Sequence, residues 1–121
     1  AELISLASDM SEKRILPNDR EIDSPPHFHI GYADVPQRLK EEDNHPALVK
    51  KIDSGASFVQ TKLCYDIDLM KAYISDLGER GILYKVKILI ELGPIASAKS
   101  AQWMKKNLWD VSIPDVLIQR L

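Results

Sequence analysis

The chain has 121 residues, with 16 Lys or Arg, 18 Asp or Glu and 3 His, giving a formal net charge of −2. That near-neutral balance lacks the basic footprint of a nucleic-acid binder. The longest largely apolar stretch, Val86 to Ala96, is broken by Lys87, Glu91 and Pro94 and falls far short of the ~20 residues that cross a bilayer, so neither nucleic acid nor membrane is expected as a partner.

In chain order, Leu3, Leu6, Ala7 and Met10 form an apolar stripe at helical spacing, which predicts a first helix from Glu2 to about Lys13. Leu16-Pro17-Asn18-Asp19 reads as a turn, and Ser24-Pro25-Pro26 stops any helix. His27 to Tyr32 is the first expected strand, with Asp34 to Leu39 as a loop. Asn44 or His45 before Pro46 marks a helix start, and Gly55 its stop. Ser57 to Leu63 is the second strand. Asp66 or Asp68 caps a third helix carrying Leu69, Met70, Tyr73, Ile74 and Leu77, and Gly78 and Gly81 bracket its end.

Tyr84 to Leu92 is the third strand, apolar on both faces, which favours a buried parallel strand over an edge. Ser97 caps a fourth helix with Ala101, Met104 and Leu108 on one face, and Ile113-Pro114-Asp115 starts a fifth. Alternating helices and strands imply an α/β fold with parallel strands. Either a small open sheet or part of a (β/α)8 barrel of the TIM type satisfies this order; a whole barrel needs ~250 residues, so three strands would be less than half of one. The length fits one core and a single domain over residues 1–121.

The chemistry on offer is sparse. His27 and His29 lie at i, i+2 on one side of the expected strand, and His45 could join them on a divalent metal; a metal-dependent hydrolase is the reading this would support, against two ordinary strand residues. No Asp or Glu stands at convincing ligand spacing, and no metal ligand is assigned. Lys50-Lys51 complement a helix C-terminus or contact a nucleotide phosphate. Gln60 and Lys62 share a face at the carboxyl end of the second strand, where a barrel collects ligand-contacting groups. Trp103 and Met104 read as core or as a ligand platform. Cys64, the sole cysteine, reads as a small buried hydrophobe, excludes an internal disulfide and points to a reducing, cytoplasmic setting. No secretory leader is read at the start of the chain. Isolated glycines exclude a Rossmann fingerprint.

Gly55-Ala56-Ser57-Phe58-Val59-Gln60-Thr61-Lys62 resembles the sixth-strand segment of methylenetetrahydrofolate reductases. Phe28 to Ala33 is similar to their fifth strand, and Gly93 to Trp103 followed by Ile113-Pro114-Asp115 to their next strand–helix unit. The resemblance runs from about Phe28 to Leu121 and implies the C-terminal half of a (β/α)8 barrel. It implies a flavoprotein oxidoreductase of one-carbon metabolism and methionine biosynthesis, in which FAD passes a hydride from a nicotinamide donor to the folate substrate, reducing 5,10-methylenetetrahydrofolate to 5-methyltetrahydrofolate.

Carried over by position, Tyr32 and Ala33 border the flavin in the loop after the fifth strand, while Asn44, Lys50 and Lys51 contact the rest of FAD. Ala47 replaces a polar contact. Lys62 stands where the family has a Gln that hydrogen-bonds the pterin, and Met104 where a Phe stacks on the folate. No catalytic residue is assigned. The family's strand-one acid and its Arg-Gly-Asp flavin segment have no counterpart here. The expectation is therefore a half barrel that pairs with itself or with an N-terminal half and does not retain FAD alone. A non-catalytic half-barrel binding or scaffold module is the competing reading.

Overall fold

Three short parallel strands form the centre of the molecule in the computed structural model, which describes residues 1–38 and 45–121. They are β1 (Gly31–Asp34), β2 (Phe58–Thr61) and β3 (Lys87–Leu89), hydrogen-bonded in the order β1-β2-β3. Helices alternate with them: α1 (Glu2–Glu12), α2 (Pro46–Asp53), α3 (Ile67–Glu79), α4 (Ala98–Asn107) and α5 (Asp115–Ile118). The chain is α/β, with the strand direction and alternation of a partial TIM-type barrel.

The register sorts side chains into two rows. Tyr32, Val59 and Ile88 lie opposite one another, as do Ala33, Gln60 and Leu89 one residue later. Successive strand residues point to opposite faces, so the first row meets the helices and the second does not. Val59 is buried with Leu48 of α2 and with Tyr73 and Leu77 of α3, and Tyr32 and Ile88 pack at the edge of this cluster. Each fully buried side chain of this kind contributes roughly 1.5–3 kcal/mol, so these few residues hold the two layers together. Ala33, Gln60 and Leu89 are exposed, which leaves one face of the sheet open.

The local signals that place the helices act as expected. Pro46 opens α2 behind the N-cap His45, and Gly55, at φ +113°, lets the chain leave it. The Asp66 carboxylate accepts from the Leu69 N–H at 2.9 Å to cap α3, and the Ser97 hydroxyl accepts from the Ser100 N–H at 3.2 Å to cap α4. The turn at Leu16–Asp19 closes through the Asp19 N–H and the Leu16 carbonyl, next to a bridge from Ile15 to Glu21. A smaller cluster of Ala101, Ile113 and Ile118 ties α4 to α5.

Several expectations are corrected. The first strand starts at Gly31 rather than His27, because pairing begins only where β2 is opposite: the Ile30 carbonyl takes the Ser57 N–H and the ladder continues from Gly31. Asp34, expected in a loop, ends this strand. The third strand is shorter than Tyr84–Leu92, since Ile82–Tyr84 form a 3-10 turn, and among the described residues it is a sheet edge. Leu89, in its second row, has no covering helix there and is exposed, and Ile90 and Leu92, beyond the end of the strand, are exposed as well. The apolar stripe of α1 buries no residue fully, and Leu3 is exposed.

Gly31 admits no side chain without movement. A Cβ there would collide with the Phe58 ring, which stacks on His29 at a centroid distance of 5.0 Å. Gly31→Ala is expected to cost about 1–3 kcal/mol in denaturant unfolding, as overpacking does. An unchanged midpoint would show that the Phe58 ring swings aside freely.

Candidate functional site

The carboxyl ends of the three parallel strands define a rim, and the alternation of the strands divides its polar groups. Asp34 and Thr61 turn toward the helices, while Gln60 and Lys62 share the other parity. On the helix side, Asp34 Oδ2 accepts from the Tyr73 hydroxyl at 2.7 Å and lies 3.3 Å from His45 Nε2. Thr61 is fully buried, and its Oγ1 accepts from the Glu91 N–H at 3.0 Å, joining β2 to the chain beyond β3. One carboxylate thus links the end of β1, the first residue before α2 and the middle of α3.

The phenols beside this carboxylate are hard to ionise. Burial, then the hydrogen bond to Asp34 and its charge, raise the Tyr73 hydroxyl well above the usual phenol range. Burial and the Asp34 charge do the same to Tyr32, whose buried hydroxyl has no hydrogen-bond partner among the described residues. The ammonium of Lys51 sits 4.2 Å from the centre of the Tyr32 ring.

On the other side of the rim, Lys62 Nζ lies 3.4 Å from Asp110 Oδ2, in the segment after α4. The same segment bridges back to the end of β2, Cys64 pairing with Ser112. Beside it is a pocket of about 240 Å³ lined by Val35, Pro36, Leu63, Trp109, Asp110 and Val111, among others.

The sequence-derived site residues are therefore dispersed. Tyr32 and Ala33 lie within β1, not in the loop after it; Tyr32 packs toward the helices and Ala33 stands on the open face. Lys50 and Lys51 occupy the last turn of α2, where Lys50 is exposed beside a surface pocket with Pro46, Val49, Asp53 and Ser54. Asn44 lies outside the described residues. Lys62 is at the rim, whereas Met104 packs into the α4–α5 cluster. Trp103 is exposed. Cys64 is buried, donates to the Asp66 carbonyl at 3.4 Å, and has its thiol pushed up by burial, which makes it a poor nucleophile.

The histidine reading is corrected by placement. His27 and His29 precede the strand instead of sharing one of its faces; His29 stacks on Phe58, and His45 is next to Asp34. Among the described residues, no three His, Cys, Asp or Glu are grouped as a metal site.

Sequence reading missed Asp34, Tyr73 and Asp110. Tyr73 was placed on the correct helix face, but nothing local marks its pairing with an acid 39 residues away. Asp110 carries no motif, and only the return of the post-α4 segment to β2 brings it to Lys62.

Comparison with known proteins gives one family result: the family model described as methylenetetrahydrofolate reductase matches residues 20–121, which include all three strands. No curated protein matches the chain.

Proposed function

The chain belongs to the methylenetetrahydrofolate reductase family, and from that premise we propose that it is the C-terminal half of a flavin-dependent barrel, a single domain over residues 1–121, that reduces 5,10-methylenetetrahydrofolate to 5-methyltetrahydrofolate. The observation carrying this reading is that the family match spans three parallel strands whose carboxyl ends hold Gln60 and Lys62 on one side. The setting is cytoplasmic one-carbon metabolism leading to methionine. No helix among the described residues is long and apolar enough to cross a membrane.

Hydride chemistry between a nicotinamide donor and the folate comes from FAD when it is bound. The chain's own residues bind and orient. The Lys50 ammonium, exposed on α2, suits the charge of a diphosphate, and Ala33 offers an uncrowded strand surface to a flat ring. Lys51 fits less directly, because its ammonium already lies on the Tyr32 ring, and Tyr32 supports α2 from beneath. Asn44 and Met104 complete the FAD and folate contacts that the family pattern assigns. Lys62 faces the folate.

The product of the intact coding sequence is expected to purify with a flavin absorbance band that a nicotinamide donor bleaches and methylenetetrahydrofolate restores. A colourless product that binds neither flavin nor folate would overturn the proposal in favour of a scaffold module.

The 121-residue chain alone is expected to lose FAD and to associate. β1 and β3 each present an unpaired strand edge among the described residues, and the exposed Ile67, Ile90 and Leu92 border an apolar groove floored by Met70 and Ile74. Size-exclusion chromatography should therefore give a dimer of the 13.7 kDa chain, or a complex with an N-terminal half when one is supplied. A monomer at high concentration would contradict the half-barrel reading.

A further inference from the structure

A helix and a groove of this chain match each other but do not meet within it. In the helix layer, α2 connects β1 to β2 and α3 connects β2 to β3. The flank of α3 beyond the β3 edge is uncovered. Ile67 there is 68% exposed, and with Met70, Lys71, Ile74, Ile90 and Leu92 it borders a groove of about 500 Å³. Ile90 keeps the parity of Ile88, whose row meets the helices, and is nevertheless exposed, so the groove lies in the helix layer.

At the other end of the sheet, α1 precedes β1 and carries an apolar stripe that is left open. Leu3 is 78% exposed, no residue of α1 is buried, and none joins either apolar cluster among the described residues. The two surfaces share one spacing. Leu3, Leu6, Ala7 and Met10 stand at i, i+3, i+4 and i+7, as do Ile67, Met70, Lys71 and Ile74. In that alignment the small Ala7 falls opposite Lys71 and leaves room for its long side chain. The charges agree as well: α1 holds Glu2, Asp9 and Glu12 and no Lys or Arg, while the receiving side exposes Lys71, Lys85 and Lys87.

The stripe cannot serve the groove of its own copy. The Phe28 N–H donates to Ser11 Oγ at 3.3 Å, Ser8 lies against Gly55, and Ile15 bridges Glu21 in the segment that follows. These contacts hold α1 near the end of α2 and the start of β1, with β2 between it and β3. Ser8 and Ser11 lie roughly a third of a turn round the helix from the stripe, which leaves the stripe free for a partner.

We propose that α1 of a second copy seats in this groove parallel to α3, with Leu3 against Ile67, Leu6 against Met70 and Met10 against Ile74. The direction follows from the sheet. The second copy's β1 adds to the free β3 edge in the parallel sense of the other strands, and its α1 arrives as the crossover helix that this edge lacks. Two copies that exchange α1 leave neither stripe nor groove open. This deepens the association proposed above and rests on it.

Cysteine cross-linking of the 121-residue chain tests the seat, in a Cys64→Ser background because Cys64 also lines the groove. Copies with Leu3→Cys are mixed with copies with Ile67→Cys and treated with a short bis-maleimide. A linked species of twice 13.7 kDa is expected from the mixture and from neither variant alone. Ser5→Cys, on another exposed face of α1, should give none with Ile67→Cys. By sedimentation, Leu3→Glu and Ile67→Lys should each raise the dimer Kd at least about tenfold, because each puts a charge in an apolar contact. Leu3→Glu/Ile67→Lys should regain most of the affinity, since the two charges then face each other. Both positions are exposed in the single chain, so the melting temperature of dilute protein should stay level.

A dimer without the mixed cross-link, a link formed inside one copy carrying both cysteines, or a double variant no better than the worse single overturns this inference and leaves the association standing. So does loss of the mixed link when an N-terminal half is supplied, which would make that half the occupant. A chain that is monomeric at every concentration removes both. The cross-linked dimer, found alongside an intact gene product that binds neither flavin nor folate, would sink the oxidoreductase reading alone.

Discussion

Tyr73→Ala is expected to remove most or all of the stability of the fold. Tyr73 is fully buried between α3 and the sheet, in contact with the cluster of Leu48, Val59 and Leu77, and its hydroxyl donates to Asp34 at 2.7 Å. Truncating a buried aromatic costs about 3–5 kcal/mol through lost transfer energy and the cavity left behind. Asp34 also loses a donor in a half-buried setting, which adds to the loss. Net stabilities of domains are only about 5–15 kcal/mol, so the sum approaches the whole.

Tyr73→Phe separates the two contributions, because it keeps the ring and deletes only the donor. About 1–3 kcal/mol is expected there. Far-UV circular dichroism during urea titration checks both variants. Should Tyr73→Ala shift the midpoint no more than Tyr73→Phe, the ring would not be the keystone of the helix–sheet contact.

The elements were legible because their signals are local. An apolar stripe, a Pro after a capping residue and a Gly at positive φ each act within a few residues, and α2, α3 and α4 start at His45-Pro46, Asp66 and Ser97 as those signals require. Strand extent was not legible to the same degree, because a strand reaches only as far as its neighbour. β1 begins at Gly31, opposite Phe58, whatever the composition of His27–Ile30. The burial of β3 was misread for a related reason. Two apolar rows in Val86–Leu92 state what a strand could bury, while coverage depends on elements elsewhere, and the described helices cover one row.

The rim was half legible. Period-two alternation correctly put Gln60 and Lys62 on one side, which is arithmetic within a single strand. The partners of rim residues come from distant segments, so position on a motif could not supply them: Asp110 reaches Lys62 because Ser112 bridges Cys64, and Tyr73 reaches Asp34 because α3 packs on β1. Tyr32 shows the limit of transfer by position. Its place in the order of residues suggested a flavin neighbour, but its parity in β1 turns it to the helices and under Lys51.

Alkaline unfolding is the strongest expected consequence of that inward-facing cluster. The two phenols beside Asp34 have folded pKa values raised above the ordinary value of 10.0, by burial first and by the carboxylate second. Below about pH 10 both the folded and the unfolded chain keep these protons, so the full stability is present. Above it the unfolded chain releases protons that the folded chain retains. Stability then falls with rising pH, by up to about 1.4 kcal/mol per pH unit for each fully buried phenol and by less for Tyr32, which is only half-buried. The loss continues until the chain unfolds or the folded values are reached. Monitored together, phenolate absorbance and far-UV circular dichroism should show two of the four tyrosines ionising only as helicity disappears. Tyr73→Phe should remove one of those two late phenolates and make the remaining fall in stability shallower. Four tyrosines that ionise with the far-UV spectrum intact would mean that Asp34, Tyr32 and Tyr73 are open to water, and the helix-side cluster as described would not exist in solution.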